Sequence, residues 1–404
     1  MDRAMPRLRR SDCAAPGITR RRRGRGFEYR DPDGDRIDDP EALERISQLA
    51  IPPAWLEVWI CMDSLGHLQA TGLDAAGRKQ YLYHPRWRSH RDRLKFDSMI
   101  AFGESLPRLR RRLGKDLAAM PAAGAARSAK AASSAELPRE RVLACAVRLL
   151  DLGFFRIGSE DYAERNESYG LTTMLKRHVS IADDEVIFDY VAKSGVRRVQ
   201  AIADADVLDV VTALKRRRGS GQLLAYHESR RWVEIHADEV NAYIKLISGG
   251  DFTAKDFRTW NATVLAAVAL AGADMGTGAK ERGNGNSKDN ASDKAKRPTA
   301  TSRRRAVNAA VKTVAAYLGN TPAVCRASYI DPRVIDRYQA SVTIALALER
   351  LPDGPDLANP RTRARIEAAV LELLADASEA RPSEDEKPRT APRSANKKTP
   401  ARQA

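Results

Sequence analysis

Arg156, Lys193, Arg258 and Tyr329 are the residues whose types and settings could carry chemistry. A phenol becomes a nucleophile once its proton is lost or being removed, and its reference pKa lies near about 10. A guanidinium can grasp two oxygens of one anion and keeps its charge at any physiological pH. An ammonium can hand a proton to a departing oxygen, a step that contributes roughly 10²–10⁴-fold. Arg156 follows the apolar pair Phe154-Phe155, Lys193 stands just before a Ser194-Gly195 turn, and Arg258 lies beside Trp260 in an early helical turn. Tyr329 lies between Thr321-Pro322, a helix start, and Asp331-Pro332, a helix stop. Each setting has a structural reading too: a surface Arg, a turn Lys, a salt-bridged helical Arg and a partly buried Tyr. Taken singly, the four residues do not choose between the readings.

The elements that must position them are legible in part. Alternation in 186–191 places Val186, Phe188 and Tyr190 on one side of a strand, and 196–200 can return from the Ser194-Gly195 turn as its partner. Pro138 opens a helix with Val142, Leu143, Ala146, Leu149 and Leu150 on its apolar face, and Gly153 stops it. Helices are expected over 205–216 and 237–247. Another starts near Thr253, where Asp256 three residues later makes an Asp version of the capping box. A further helix from near Ser302 carries the stripe Val307, Ala310, Val311, Val314, Ala315 and Leu318 and ends at Gly319. Helical patterns return over 334–349 and 361–374. Upstream, 54–61, 66–72 and 77–83 read as short strands and turns.

The chain has 404 residues, with 69 Lys and Arg against 53 Asp and Glu, a formal net charge of +16. That length suggests two domains plus tails, and that field favours a polyanionic partner. Residues 1–26 hold nine arginines and two aspartates and read as a flexible basic arm, with the Arg20–Arg23 run contacting phosphates. The expected layout continues with a small β-rich domain over 27–101 and a mainly helical domain with a β-hairpin over 102–376. The whole is α+β. Within the second domain, 272–301 turns to Gly, Asn, Lys and Asp and reads as a loop or disordered insertion, and 377–404 reads as a disordered tail. The four cysteines are scattered, without a Cys-x-x-Cys pair or a Cys/His cluster, which favours a reduced cytosolic setting and no zinc. No apolar run reaches the roughly 18 residues a membrane span needs.

The order of motifs adds what single residues do not. Gly66–Gly72 (GHLQATG), Gly77–His84 (GRKQYLYH), Phe154–Glu160 (FFRIGSE), Tyr169–Val179 (YGLTTMLKRHV), Lys255–Thr263 (KDFRTWNAT) and Leu318–Ile330 (LGNTPAVCRASYI) stand in sequence. Over about residues 27–345 the chain resembles the poxvirus and bacterial branch of the type IB DNA topoisomerases. The resemblance implies that Tyr329 is the nucleophile, that Arg156 and Arg258 hold the phosphate, and that Lys193 is the hairpin general acid. It places Asn320 at a fifth catalytic position, where poxvirus and eukaryotic relatives usually have histidine. An amide there can donate a hydrogen bond but offers no imidazole acid–base chemistry.

The resemblance further implies relaxation of supercoiled double-stranded DNA through a 3′-phosphotyrosyl intermediate, with no cofactor, metal or ATP. The 27–101 domain would clamp a duplex, compatible with monomeric action. Gln80, Tyr81 and Tyr83 fall on the family's DNA-facing surface, with Arg78 and Lys79 adding electrostatic hold. Internal packing of Tyr81 and Tyr83 on an ordinary strand is the other reading. A tyrosine recombinase would be expected to show His-x-x-Arg at Arg258, where this chain has Lys255-Asp256-Phe257-Arg258. A cytoplasmic, nucleoid-associated location follows from the same reading.

Overall fold

A computed structural model describes residues 6–118, 137–158, 167–219, 221–229, 231–279, 299–352 and 354–379. The chain forms two compact units, 1–98 and 99–404. Most of the expected 272–301 insertion and of the 377–404 tail falls outside the described residues.

The first unit is an antiparallel five-stranded sheet in the order β2-β1-β3-β4-β5. Its strands are β1 (Ile18–Arg23), β2 (Gly26–Arg30), β3 (Leu56–Ile60), β4 (Leu68–Leu73) and β5 (Lys79–Tyr83). Helix α1 (Pro40–Gln48) buries Ile46 in a core with Ile18, Val58, Ile60 and Ala70. The strands expected over 54–83 are therefore present. The flexible arm is not: Arg20–Arg23 belongs to β1, paired with β2 on one edge and, at Ile18 and Thr19, with β3 on the other. Ile18 anchors the strand in the core. The Arg20 guanidinium spends its donors on the Ile51, Pro52 and Trp55 carbonyls while stacking 4.1 Å above the Phe27 ring. An arginine stem can cover apolar surface while its head reaches polar groups, so a run of four reads as solvated while one member is half-buried.

The chain then enters α2 (Pro85–Ala118). Met99, Phe102, Leu106, Leu109, Leu113 and Leu117 recur at three- and four-residue steps and are buried. Helix α3 (Arg139–Gly153) is buried along most of its length and ends with Phe154 in the left-handed region, φ +55°. The hairpin legible in the sequence is β7 (Glu185–Ala192) and β8 (Val196–Ile202), with β6 (Val179–Ala182) on the other edge of β7. Val186, Phe188 and Tyr190 face inward as the alternation predicts. Helix α4 (Ala205–Arg216), the β9 (Ala225–Glu228) and β10 (Arg231–Glu234) hairpin, and α5 (Ala237–Ser248) lead to α6 (Ala254–Ala279). Helices α7 (Ala300–Leu318), α8 (Pro322–Ser328), α9 (Pro332–Gln339), α10 (Ala345–Glu349) and α11 (Pro360–Glu379) complete the described residues.

Three expected boundaries move. Helix α6 passes Gly272 and runs to Ala279, so the start of the expected insertion is helical. Helix α11 passes residue 377, the expected start of the tail. The single helix expected over 334–349 is two. Ser341 takes φ +65°, and the Val342 N–H reaches back to the Arg337 carbonyl at 2.9 Å, a closure that ends a helix. Arg303 from α7 seals that end by donating to the Gln339 carbonyl and the Ser341 hydroxyl.

A buried polar ring joins four helices of the second unit. Arg110 of α2 donates to Asp151 of α3 at 2.9 Å and to Glu367 of α11 at 2.6 Å. Arg363 of α11 donates to Asp151 at 2.7 Å and to Glu367 at 3.0 Å. From α6, the Trp260 indole donates to Glu367 and the Asn261 amide to the Asp151 carbonyl. Burial pushes the Asp151 carboxyl up, but the Arg363 and Arg110 charges outweigh it and hold it well below the usual carboxylate range. The unfolded chain therefore takes up this proton before the folded one does. The stabilisation is full above the unfolded carboxyl pKa of about 4 and is lost as pH falls below it. Asp151→Asn leaves two guanidinium groups sharing the single carboxylate of Glu367, so thermal unfolding at neutral pH should show a loss of about 3–5 kcal/mol. Between about pH 4 and pH 2 the variant should lose further stability less steeply than the wild type. Parallel acid limbs would show that Asp151 carries no such linkage.

Candidate active site

The C-terminus of α7 collects arginines from three other elements. Its last exposed carbonyls would be orphan acceptors, and the helix dipole puts partial negative charge there. Arg198 of β8 donates to the Tyr317 carbonyl at 2.6 Å. Arg258 of α6 donates to the Leu318 carbonyl at 2.9 Å and also to the Phe154 carbonyl. Arg156 donates to the Gly319 carbonyl at 3.2 Å and to Oδ1 of Asn320 at 2.5 Å. The acceptors are consecutive residues, and the donors come from widely separated parts of the chain.

Local sequence explains each placement. Arg156 follows the left-handed Phe154, whose turn out of α3 sends Phe155 into the core against Phe188 at 4.9 Å. The extended segment after it lies against 170–172. Leu171 donates its N–H to the Arg156 carbonyl, Thr172 does so to the Ile157 carbonyl, and a Cβ on Gly170 would come within 2.4 Å of the Gly158 backbone. Only glycine admits that approach. Arg258 lies one turn inside α6, whose start is set as the sequence predicts. Asp256 accepts from the Thr253 N–H at 2.7 Å and from its hydroxyl at 3.0 Å. Phe257 and Trp260 are fully buried, which carries Arg258 inward to 4% exposure.

Lys193 sits at the hairpin turn, where Ser194 and Gly195 both take positive φ. Tyr329 caps α8, with its N–H on the Cys325 carbonyl at 3.0 Å. The hydroxyl of Thr263, on the same helix as Arg258, lies 3.4 Å from the Tyr329 carbonyl and accepts the Asp331 N–H at 3.1 Å. One buried threonine thus ties the backbone around Tyr329 to α6.

Arg156, Lys193, Arg258 and Tyr329 line one cleft of about 290 Å³, together with Ser168, Tyr169 and Lys255. Asn320 lies beside it, held by Arg156. The Arg258 guanidinium sits 5.4 Å from the Tyr329 ring centroid and hydrogen-bonds the phenol. Burial, with the Arg156 charge adding to it, pushes Arg258 down to about 10, against a partial rise from Tyr329. Burial and the nearby Arg156 also lower Arg198. Among the described residues, Arg258 Nε, Asn320 Nδ2 and Ser168 Oγ are buried without a hydrogen-bond partner. Buried donors are rarely left so. With Oδ1 taken by Arg156, the Asn320 amide keeps its NH2 group for something else. Crowded cations and unspent donors suit an incoming oxyanion.

The β5 strand sorts the other sequence candidates by its alternation. Lys79, Tyr81 and Tyr83 share the exposed face, with the two rings stacked at 6.2 Å and 14° and Lys79 6.0 Å from the Tyr81 centroid. Tyr81 is 46% exposed, so the internal-packing reading fails for it. Gln80 points the other way, its amide on Asp74 at 2.9 Å, and Arg78 pairs with the same carboxylate. Gln80 is therefore not gathered with the tyrosines.

A family profile described as the eukaryotic DNA topoisomerase I catalytic core matches residues 84–347, well over half of the chain. The chain belongs to the type IB DNA topoisomerases. A second profile, the bacterial DNA topoisomerase IB N-terminal domain, matches residues 26–74 of this topoisomerase. It is 28% identical to the DNA topoisomerase 1B of Acanthamoeba polyphaga mimivirus over 327 residues, covering 80% of this chain and 88% of that protein. It is also 23% identical to the DNA topoisomerase 1B of vaccinia virus (strain Copenhagen) over 163 residues, 39% of this chain and 47% of that protein. Among the described residues, no helix is long and apolar enough to cross a membrane.

Sequence reasoning missed Arg198 and Ser168 in this topoisomerase. Ser168 precedes the quoted Tyr169-Gly170 motif and carries no signal of its own. Arg198 is one of two adjacent arginines on β8, and only the register with Tyr190 distinguishes it from Arg197, which pairs with Asp189. Gly319 sets the geometry of the arginine cluster: its φ is +62°, and an added Cβ would meet Arg198 Nη1 at 2.4 Å. Gly319→Ala should cost about 1 kcal/mol or more in equilibrium unfolding. An unchanged unfolding midpoint would show that the helix end accommodates the methyl.

Proposed function

We propose that the protein relaxes supercoiled double-stranded DNA by cutting and resealing one strand at the cleft. The Tyr329 oxygen attacks the scissile phosphorus, forming a 3′-phosphotyrosyl bond as the bond to the 5′-oxygen breaks. The positive charge of Arg258 favours the phenolate, whose proton passes to solvent water and is taken up again when Tyr329 is released. Arg156, Arg258 and Asn320 donate to the nonbridging oxygens and stabilise the pentacoordinate transition state. Lys193 protonates the leaving 5′-oxygen, which would otherwise depart as an alkoxide. The free 5′-hydroxyl then reverses the step, returning its proton to Lys193 and releasing Tyr329. One phosphodiester-type bond replaces another, so neither ATP nor a metal is required. Rotation of the cut strand about its partner between the two steps removes torsional strain.

The observation that carries this reading is the convergence of Arg156, Lys193, Arg258 and Tyr329 on one cleft, with unspent donors on Arg258 and Asn320 beside it. We assign DNA contact on the first unit to Lys79, Tyr81 and Tyr83, a cation beside two exposed rings that can pack on sugar or base. Gln80 and Arg78 would join them only by leaving Asp74. The unit would act as one half of a clamp in a monomeric enzyme on cytoplasmic, nucleoid DNA.

Purified protein should relax positive and negative supercoils in EDTA without ATP. Tyr329→Phe should abolish relaxation and the covalent 3′ adduct while retaining noncovalent DNA binding. Relaxation by that variant at the wild-type rate would remove Tyr329 as the nucleophile. On the first unit, Tyr81→Ala should weaken duplex binding by about 1–3 kcal/mol, read from equilibrium titration at fixed salt. Unchanged affinity there would take Tyr81 out of the DNA surface.

A further inference from the structure

We propose that Arg198 is a positioning residue for proton transfer, latching the hairpin that carries Lys193 to the helix end that carries Asn320. The inference rests on the reading of Lys193 as general acid. Arg198 stands opposite Tyr190 in the β7–β8 ladder, and Ala192 pairs with Val196 next to the turn that holds Lys193. A short paired segment therefore runs from the latch to the turn, and a displacement at one is passed to the other.

The far side of the latch is as well defined. Arg198 Nη2 reaches the Tyr317 carbonyl at 2.6 Å, three residues before Asn320, and Nη1 occupies the space a side chain on Gly319 would need. The same turn of backbone gives the Leu318 carbonyl to Arg258 and the Gly319 carbonyl to Arg156. Arg198 thus references the proton donor to the frame that holds the phosphate-gripping arginines. A charged side chain half-buried beside Arg156 and Arg258 is costly. A neutral side chain could fill the volume, but a guanidinium binds the negative end of a helix through rigidly directed donors. Lys193 itself is at an exposed turn, so its height above the cleft follows the position of the hairpin that carries it.

The test compares single-turnover cleavage of an ordinary duplex with that of a duplex carrying a 5′-bridging phosphorothiolate, whose leaving group needs no protonation. Full-length wild type, Lys193→Ala, Arg198→Ala and Arg198→Lys are used at saturating DNA, with unfolding midpoints and adduct yields measured alongside. Arg198→Ala should slow cleavage of the ordinary substrate by about 10²-fold, the scale of a misplaced reacting group. The phosphorothiolate should remove most of that defect, as it should for Lys193→Ala, and Arg198→Lys should recover part of the rate. If Arg198→Ala fails to fold, Arg198→Lys carries the same comparison. Rescue of Lys193→Ala without rescue of the Arg198 variants leaves the general acid standing and overturns the latch. A defect confined to DNA affinity, or an unchanged rate, also overturns it. Failure of the phosphorothiolate to rescue Lys193→Ala removes the general-acid reading and the latch together.

Discussion

Three guanidinium groups must be kept around one helix end, two of them lining a partly dry cleft with an ammonium, before any anion arrives. Like charges at this range repel, and burial removes the water that would screen them. The fold answers with the C-terminus of α7. Three consecutive carbonyls, at Tyr317, Leu318 and Gly319, each take a donor from a different arginine, and the helix dipole adds attraction along the same axis. Much else near the cleft follows from presenting that helix end. Gly319 must turn left-handed beneath Arg198, Phe154 must leave α3 left-handed to offer Arg258 its carbonyl, and Thr263 must tie the Tyr329 segment to α6.

The arrangement leaves the arginines satisfied on one side and unspent on the other. A guanidinium has five N–H donors in a fixed plane, so those given to carbonyls fix the direction of the remainder. Arg258 donates to two carbonyls and leaves Nε unpaired, while Arg156 takes the Asn320 oxygen and the buried amide nitrogen is left without a partner. Preorganisation of this kind places the reorganisation cost in folding rather than in the reaction. The buried ring of Arg110, Asp151, Arg363 and Glu367 holds α3, α6 and α11 to α2, and α6 is the helix that carries both Arg258 and Thr263.

What the sequence disclosed was local. Asp256 after Thr253, the alternation of Val186, Phe188 and Tyr190, and the glycine after Leu318 each act within a few residues, so helix α6, the hairpin and the end of α7 were readable. The long-range pairings were not. Nothing near Arg20 says that its head will meet the carbonyls of Ile51, Pro52 and Trp55, so β1 looked like a charged arm. The helix break at Ser341 depends on Arg303, 38 residues earlier. Gln80 shares a motif with Tyr81 but, by strand alternation, lies on the opposite face, tied to Asp74. Arg198 could not be told from Arg197 without the ladder. The family resemblance implied that Arg156, Lys193, Arg258 and Tyr329 act together, and all four line the one cleft.

Asn320 shows how one substitution redistributes the proposed chemistry. An imidazole at this position could hold or release a proton, so two groups near the leaving oxygen could share acid–base work. A carboxamide cannot titrate, and here its oxygen is already spent on Arg156. It contributes a neutral donor of fixed orientation and adds no further full charge to a cluster in which burial, with the Arg156 charge adding to it, already pushes Arg258 down to about 10. In the proposed reaction the proton for the 5′-oxygen then comes from the hairpin. The asparagine that eases charge crowding thus concentrates the demand for accurate placement on Lys193, a residue on an exposed turn. A rigid tie between that turn and the end of α7 is what such a division of labour requires.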